Sequence, residues 1–147
     1  MEEERFKLRS AVYLFLKKDN QILLSRRFNT GWMDGKYSLV AGHLDGNETV
    51  TQAMVREAME EAKIVVKKED LIPAVVIHRK SSDQEYVDLF FVCEKWIGEI
   101  TIGETDKCDD LRWFDVDNLP GNLLPYIKEA WQKYQDKIPF FESGWNS

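Results

Sequence analysis

The chain has 147 residues, 44% hydrophobic and 31% charged, a globular composition that excludes an intrinsically disordered segment. That length suits one domain, residues 1–147, with a sizeable core. A formal net charge of −6 and a pI near 5.0 leave no basic field to hold a nucleic-acid polymer by counterion release.

The start, Met1-Glu2-Glu3-Glu4-Arg5, is acidic and lacks the positive start and apolar stretch of a signal peptide, and no apolar run reaches membrane-spanning length. A cytoplasmic protein with no membrane partner is expected. Apolar runs at Ser10–Leu16 and Gln21–Leu24 flank the polar Lys17-Lys18-Asp19-Asn20, which predicts a β-hairpin. Residues 28–36 have loop composition around Trp32, and Tyr37–Val40 predicts a short strand ending at Ala41-Gly42. From Glu48-Thr49 to Ala62 the chain is rich in helix formers without Pro or Gly, and Thr49 with Gln52 offers a capping box. β-Branched content predicts strands at Ile64–Val66 and Leu71–His78, with Tyr86–Cys93 returning across the turn Lys80–Gln84. Leu111–Val116 is a further predicted strand, and Leu123–Tyr134 a helix after Pro120-Gly121. These elements predict a mixed sheet covered by helices. Cys93 and Cys108 are too few for a disulfide framework and share no metal-ligand spacing with His43 or His78; Cys93 is expected in the core.

The first helix carries the chemistry. Glu57, Glu60 and Glu61 are related by i, i+3 and i+4 and share an arc of roughly 100°. Val55, Met59 and Ala62, with Ala58 at the edge, form an apolar stripe expected to pack against the sheet from the opposite side. Acids on a packed helix are held at fixed separation, which suits divalent cations that prefer carboxylate oxygens.

The full spacing runs Gly42, five residues, Glu48, seven residues, Arg56-Glu57-Ala58, one residue, Glu60-Glu61, one residue, Lys63 and Ile64. It resembles the box of the Nudix hydrolases, with Lys63 where the family has Gly, and Ala41 before the box where many members have a second Gly. A Lys in the left-handed conformation a helix-ending Gly supplies would cost about 1 kcal/mol. The resemblance implies an α+β protein with the Nudix α/β/α sandwich around a central mixed sheet. It implies a Mg²⁺-dependent pyrophosphohydrolase, with Mn²⁺ as the alternative ion. Glu57, Glu60, Glu61 and the Gly42 carbonyl would bind metal, Glu57 or a loop carboxylate would act as general base, and Arg56 would pair with Glu48 to orient the acids. The expected loop carboxylate is Glu104, with Asp106, Asp109 and Asp110 as rivals.

Among residues outside the box, Arg26 is the first choice to meet substrate phosphates, with Arg27, His78 and Arg79 behind it. Trp32, Tyr37 and Tyr86 are candidates to stack on a base. The aromatic segment Pro139–Trp145 is expected to dock on the domain or on a partner subunit, leaving a homodimer open. A nucleoside triphosphate cleaved to monophosphate and pyrophosphate is the expected substrate, with ADP-ribose, dinucleoside polyphosphates and nucleotide sugars as alternatives. A non-catalytic nucleotide-binding module of the same fold is the reading from a different class.

Overall fold

A computed structural model describes residues 4–145; Met1, Glu2 and Glu3 of the acidic start lie outside the described residues. The chain orders as β1 (Arg9–Lys18), β2 (Gln21–Arg27), β3 (Tyr37–Ser38), β4 (Val40–His43), α1 (Val50–Ala62), β5 (Ile72–Ser81), β6 (Gln84–Cys93), β7 (Cys108–Asp115), α2 (Pro125–Gln135) and β8 (Phe140–Ser143). The result is the expected α+β architecture, a mixed sheet between two helices.

Strand β1 is the centre. It is buried on both faces from Ala11 to Leu16, and the period-2 pleat sends its side chains to two cores. Ala11, Tyr13 and Phe15 pack towards α2, while Val12, Leu14 and Leu16 pack towards α1. One edge of β1 runs parallel to β6 with Ala11 opposite Asp88. Its other edge is shared: Lys17 and Lys18 pair with β2, whereas Ala11–Leu14 pair with β4. The predicted hairpin therefore forms at its turn and then splays. Beyond the splay β2 takes β7 and β3 as partners, which leaves an opening between the β2 side and the β4 edge.

Two predicted strands change in the structure, and the two placements left open for the aromatic tail narrow to one. The strand predicted at Tyr37–Val40 breaks at Leu39 into β3 and β4, because its two halves pair with different neighbours. Ile64–Val66 makes a single bridge, Val65 with Ile97, and no strand, since nothing else runs alongside it. Pro139–Trp145 contains β8, which pairs parallel with β5; Trp145 Nε1 donates to the His78 carbonyl at 3.1 Å. The aromatic tail thus docks on its own chain.

Helix α1 begins at the predicted capping box, with the Thr49 hydroxyl accepting from the Gln52 amide and the Gln52 side chain accepting from the Thr49 amide. Its buried face is Ala53, Met54, Glu57, Ala58 and Ala62. The expected Val55–Met59–Ala62 stripe is corrected: Met59 is 45% exposed and Val55 only partly covered. Apolar residues span a wide arc of this helix, so periodicity alone left its rotation open. The small side chains of Ala58 and Ala62 seat closest to the sheet. Met54, Glu57, Ala58, Glu61 and Ala62 share one i, i+3, i+4 face, which brings two of the acids to the margin of the core.

The helix ends at Lys63, whose φ of 56° and ψ of 34° are left-handed, while its amide donates to the Met59 carbonyl. Gly relieves this strain but enlarges the unfolded ensemble, two effects of about 1 kcal/mol or less that partly cancel. We expect Lys63→Gly to be neutral or stabilising by up to about 0.5 kcal/mol, and Lys63→Val to cost more than about 1 kcal/mol; urea unfolding checks both, and equal stability of the two variants would refute the assignment.

Candidate active site

The splay between β2 and β4 opens into a cleft of about 690 Å³. One wall is α1, contributing Arg56, Glu57, Glu60 and Glu61, with β4 contributing Ala41, Gly42 and His43. Arg27 and Trp32 come from the β2 side and Glu104 and Lys107 from the loop before β7, and Tyr13, Arg79, Tyr86 and Tyr126 complete the lining.

Arg56 joins the acidic wall. Its Nε and Nη2 donate to the two oxygens of Glu48 at 3.1 and 2.8 Å, a fork-to-fork pair, and Nη2 also reaches the His43 carbonyl at 3.2 Å. Its Nη1 donates to Glu57 at 2.7 Å and to Glu60 at 3.4 Å. The expected Arg56–Glu48 pair is present, and the arginine orients two of the acids as well. Hydrogen bonding to Glu48 holds the Arg56 guanidinium charged at any accessible pH. The same bond keeps the Glu48 carboxyl below its ordinary range.

Glu57 and Glu61 are driven the other way. Burial raises the Glu57 carboxyl despite its bond to Arg56. Glu61 is raised further, by burial and then by its neighbour Glu57, although it accepts weakly from the Ala41 amide at 3.3 Å. Glu57 presses against Gly42, where a β-carbon would collide with its carboxylate. A larger residue here would push the Glu57 carboxylate out of its place beside Arg56.

Glu104 reaches the site by another route. The segment 101–103 seals the end of α1: Thr101 donates to the Ala62 carbonyl at 3.1 Å and Gly103 to the Glu61 carbonyl at 2.9 Å. Gly103 lies so close to the Glu60 carbonyl that any β-carbon would clash with it. Glu104 is thereby fixed beside the helix acids and contributes to raising Glu57 and Glu61. Its rivals are engaged elsewhere: Asp109 binds Arg26 at 2.7 Å, Asp110 binds Tyr37 and Arg112, and Asp106 does not line the cleft.

Three expected substrate contacts are not brought to the cleft. Arg26 lies outside it, because neighbouring strand residues face opposite ways; Arg27 points in instead. Tyr37 is buried edge-on to Phe114 and bonded to Asp110. His78 also stays outside, bonded to Glu85. Trp32 does reach the cleft, 38% exposed, with the Arg27 guanidinium 5.0 Å from its ring. Its loop is stiffened by Asp34, which accepts from the Thr30 and Gly31 amides, and by Arg27, which donates to the Trp32 carbonyl at 2.8 Å. Sequence reading missed Gly103, Lys107 and Tyr126, none of which belongs to a local pattern.

The sequence matches the model of the NUDIX domain over residues 7–136. The chain belongs to the Nudix hydrolase family. An RNA pyrophosphohydrolase of a Wolbachia species from Brugia malayi is 30% identical over 90% of each chain. An ADP-ribose pyrophosphatase of Methanocaldococcus jannaschii is 31% identical over 75% of this chain, which spans 63% of that relative's length. A MutT Nudix hydrolase structure from Burkholderia pseudomallei superposes with a TM-score of 0.80 at 25% identity, covering 86% of this chain and 98% of that one.

Nudix hydrolases generally need a divalent metal ion. Among the described residues no three His, Cys, Asp or Glu side chains form a ready cation cage; Arg56 draws Glu57 and Glu60 towards itself while the Ala41 amide holds Glu61. The donor set nevertheless fits such an ion, because the carboxylates of Glu57, Glu60, Glu61 and Glu104 line one cleft together with the backbone of Gly42. No helix among the described residues is long and apolar enough to cross a membrane.

Two outcomes follow from this geometry. A carboxyl raised in the folded state stabilises the fold fully below the unfolded value of about 4.3 and loses that contribution as pH rises through the folded value. A divalent ion bound at these carboxyls would compete with those protons, so the increase in Tm that such an ion produces should grow as pH rises from about 4.3 to neutrality; an increase that is the same at every pH in thermal-shift measurements would exclude Glu57 and Glu61 as its ligands. For Gly103→Ala, the displaced Glu104 loop should lower kcat by about 10- to 100-fold with far-ultraviolet circular dichroism unchanged. Full turnover in this variant would remove Glu104 from the site.

Proposed function

We propose that the chain hydrolyses a small nucleoside polyphosphate, with Mg²⁺ as its ion and Mn²⁺ as a substitute. A nucleoside triphosphate is the leading substrate: water adds to a phosphorus, the anhydride bond breaks, and monophosphate and pyrophosphate leave. One observation carries this reading. The same cleft joins an acidic wall suited to a cation with a basic and aromatic lining formed by Arg27, Lys107, Trp32, Tyr86 and Arg79.

In this assignment Glu57, Glu60, Glu61 and the Gly42 carbonyl would hold the ion. When bound, it offsets the charge of the phosphate oxygens and activates water. Glu104, on the loop sealed against the end of α1, takes the proton from the attacking water. Arg56 is a positioning residue that keeps Glu57 and Glu60 turned to the cleft. Arg27 and Lys107 meet phosphate oxygens, the role first expected of Arg26. Trp32 offers a stacking face for a base.

The Wolbachia relative, similar over nearly its whole length, favours a second reading in which the triphosphate is the 5′ end of an RNA. Against it, the net charge of −6 gives little attraction for a polymer beyond its first nucleotides.

A panel of nucleoside triphosphates, ADP-ribose, nucleotide sugars, dinucleoside polyphosphates and a 5′-triphosphate RNA, each with Mg²⁺ and with chelator, tests the proposal. The highest kcat/KM is expected for a free triphosphate, with turnover lost in chelator. Faster cleavage of the RNA would replace the substrate, and tight nucleotide binding without metal-dependent turnover would replace the enzyme by a binding module. Glu60→Gln and Glu61→Gln should each lower kcat by about 100-fold or more. Their metal-free Tm should hold or rise, since Glu61→Gln removes a charge from a half-buried position crowded by Glu57 and Glu104; wild-type turnover in both would sink the assignment.

A further inference from the structure

At the α2 side of the cleft the lining changes character. Arg79 follows Val75 and Ile77 on the inner face of β5 and is only 6% exposed. Its Nε donates to Asp88 at 2.6 Å, and Asp88 is wholly buried. The guanidinium carbon lies 4.2 Å from the ring centroids of both Tyr86 and Tyr126. Nη2 makes one long contact, 3.5 Å to the Tyr13 hydroxyl, which is itself 2.9 Å from that of Tyr126. Among the described residues Nη1 has no hydrogen-bond partner.

This arrangement restricts what can bind. Burial alone would lower Arg79, but Asp88 lifts it net above its ordinary value, so the group stays charged. Because Asp88 already balances that charge, another anion gains little by approaching. Two tyrosines lie against the guanidinium, so its remaining donors are offered at its edge. A planar group with two adjacent acceptors satisfies such an edge in two parallel bonds. Ala11 and Ala41 line the same cleft with short side chains, Ala41 opposite Tyr13 in the β1–β4 ladder, and the proposal places a flat ring over them.

We propose that the Arg79 end is a nucleobase-reading slot, selecting bases whose edge presents two neighbouring acceptors, as in guanine (O6 and N7) or cytosine (N3 and O2). Adenine sets an amino donor beside N7 and is discriminated against. The slot rests on the reading of the acidic wall as the hydrolytic end, which directs the other end of a bound nucleotide towards Arg79.

The test measures binding of GMP, CMP and AMP to the protein with Mg²⁺ present, by calorimetry, for the wild type and Arg79→Lys. Lysine keeps a cation for Asp88 but loses the planar fork. In the wild type GMP and CMP should bind about ten-fold more tightly than AMP, and the preference should fall below about three-fold in the variant. Equal binding of the three by the wild type overturns the proposal, as does an unchanged preference in a folded Arg79→Lys. If the variant does not fold, the wild-type ratio alone decides. These readouts do not depend on turnover: absent hydrolysis with base discrimination intact would refute the proposed function and leave the slot standing.

Discussion

Arg56 keeps like charges close together at the edge of a core. Glu57, Glu60 and Glu61 share one arc of α1, and at an effective dielectric constant of about 20 two such charges 4 Å apart repel by on the order of 4 kcal/mol. Left alone, these side chains would take up protons or swing to solvent. The guanidinium counters this by bonding Glu48, Glu57, Glu60 and the His43 carbonyl at once. It ties the loop before α1 to the helix. A lysine could supply the charge, but it lacks the planar set of five donors that these contacts use.

The cleft beside the acidic helix comes from the sheet itself. Strand β1 cannot pair with β2 and β4 at the same residues, so β2 leaves after two ladder positions and carries Arg27 and the Trp32 loop to the far side of the gap. Acidic residues of α1 and the guanidinium of Arg79 then line one cleft although they come from elements on opposite sides of β1. Gly42 and Gly103 do related work within it. Each lets carboxylate or backbone approach where a methyl group would not fit, one at Glu57 and the other at the Glu60 carbonyl.

Much of this was legible in the sequence. The capping box at Thr49 and Gln52, the spacing from Gly42 to Glu61 and the Arg56–Glu48 pair are local features, and local geometry reproduces them. The rotation of α1 was not legible, because seven apolar residues between Val50 and Ala62 permit several buried faces and the choice depends on contacts with the sheet. Arg26 and Arg27 are adjacent on one strand, so choosing between them required knowing the phase of the pleat. Arg79 was visible as a basic residue in a β-rich run, but its role depends on Tyr13, Tyr86, Asp88 and Tyr126, which come together only through tertiary structure. The pairing of β8 with β5 was equally hidden, since four residues with one buried side chain carry almost no periodic signal.

The parallel pairing of β1 with β6 has a kinetic side. Ser10 bonds to Val87, 77 positions away, and β5 receives β8 only after α2 has been laid down. Contacts this distant carry a loop-closure entropy that must be met before they contribute. The acidic helix can begin to form from its own cap, whereas the ring of tyrosines around Arg79 has to await nearly the whole chain. A nucleotide that engages both ends of the cleft would therefore report on completed folding, and its release free energy would be linked to global rather than local unfolding.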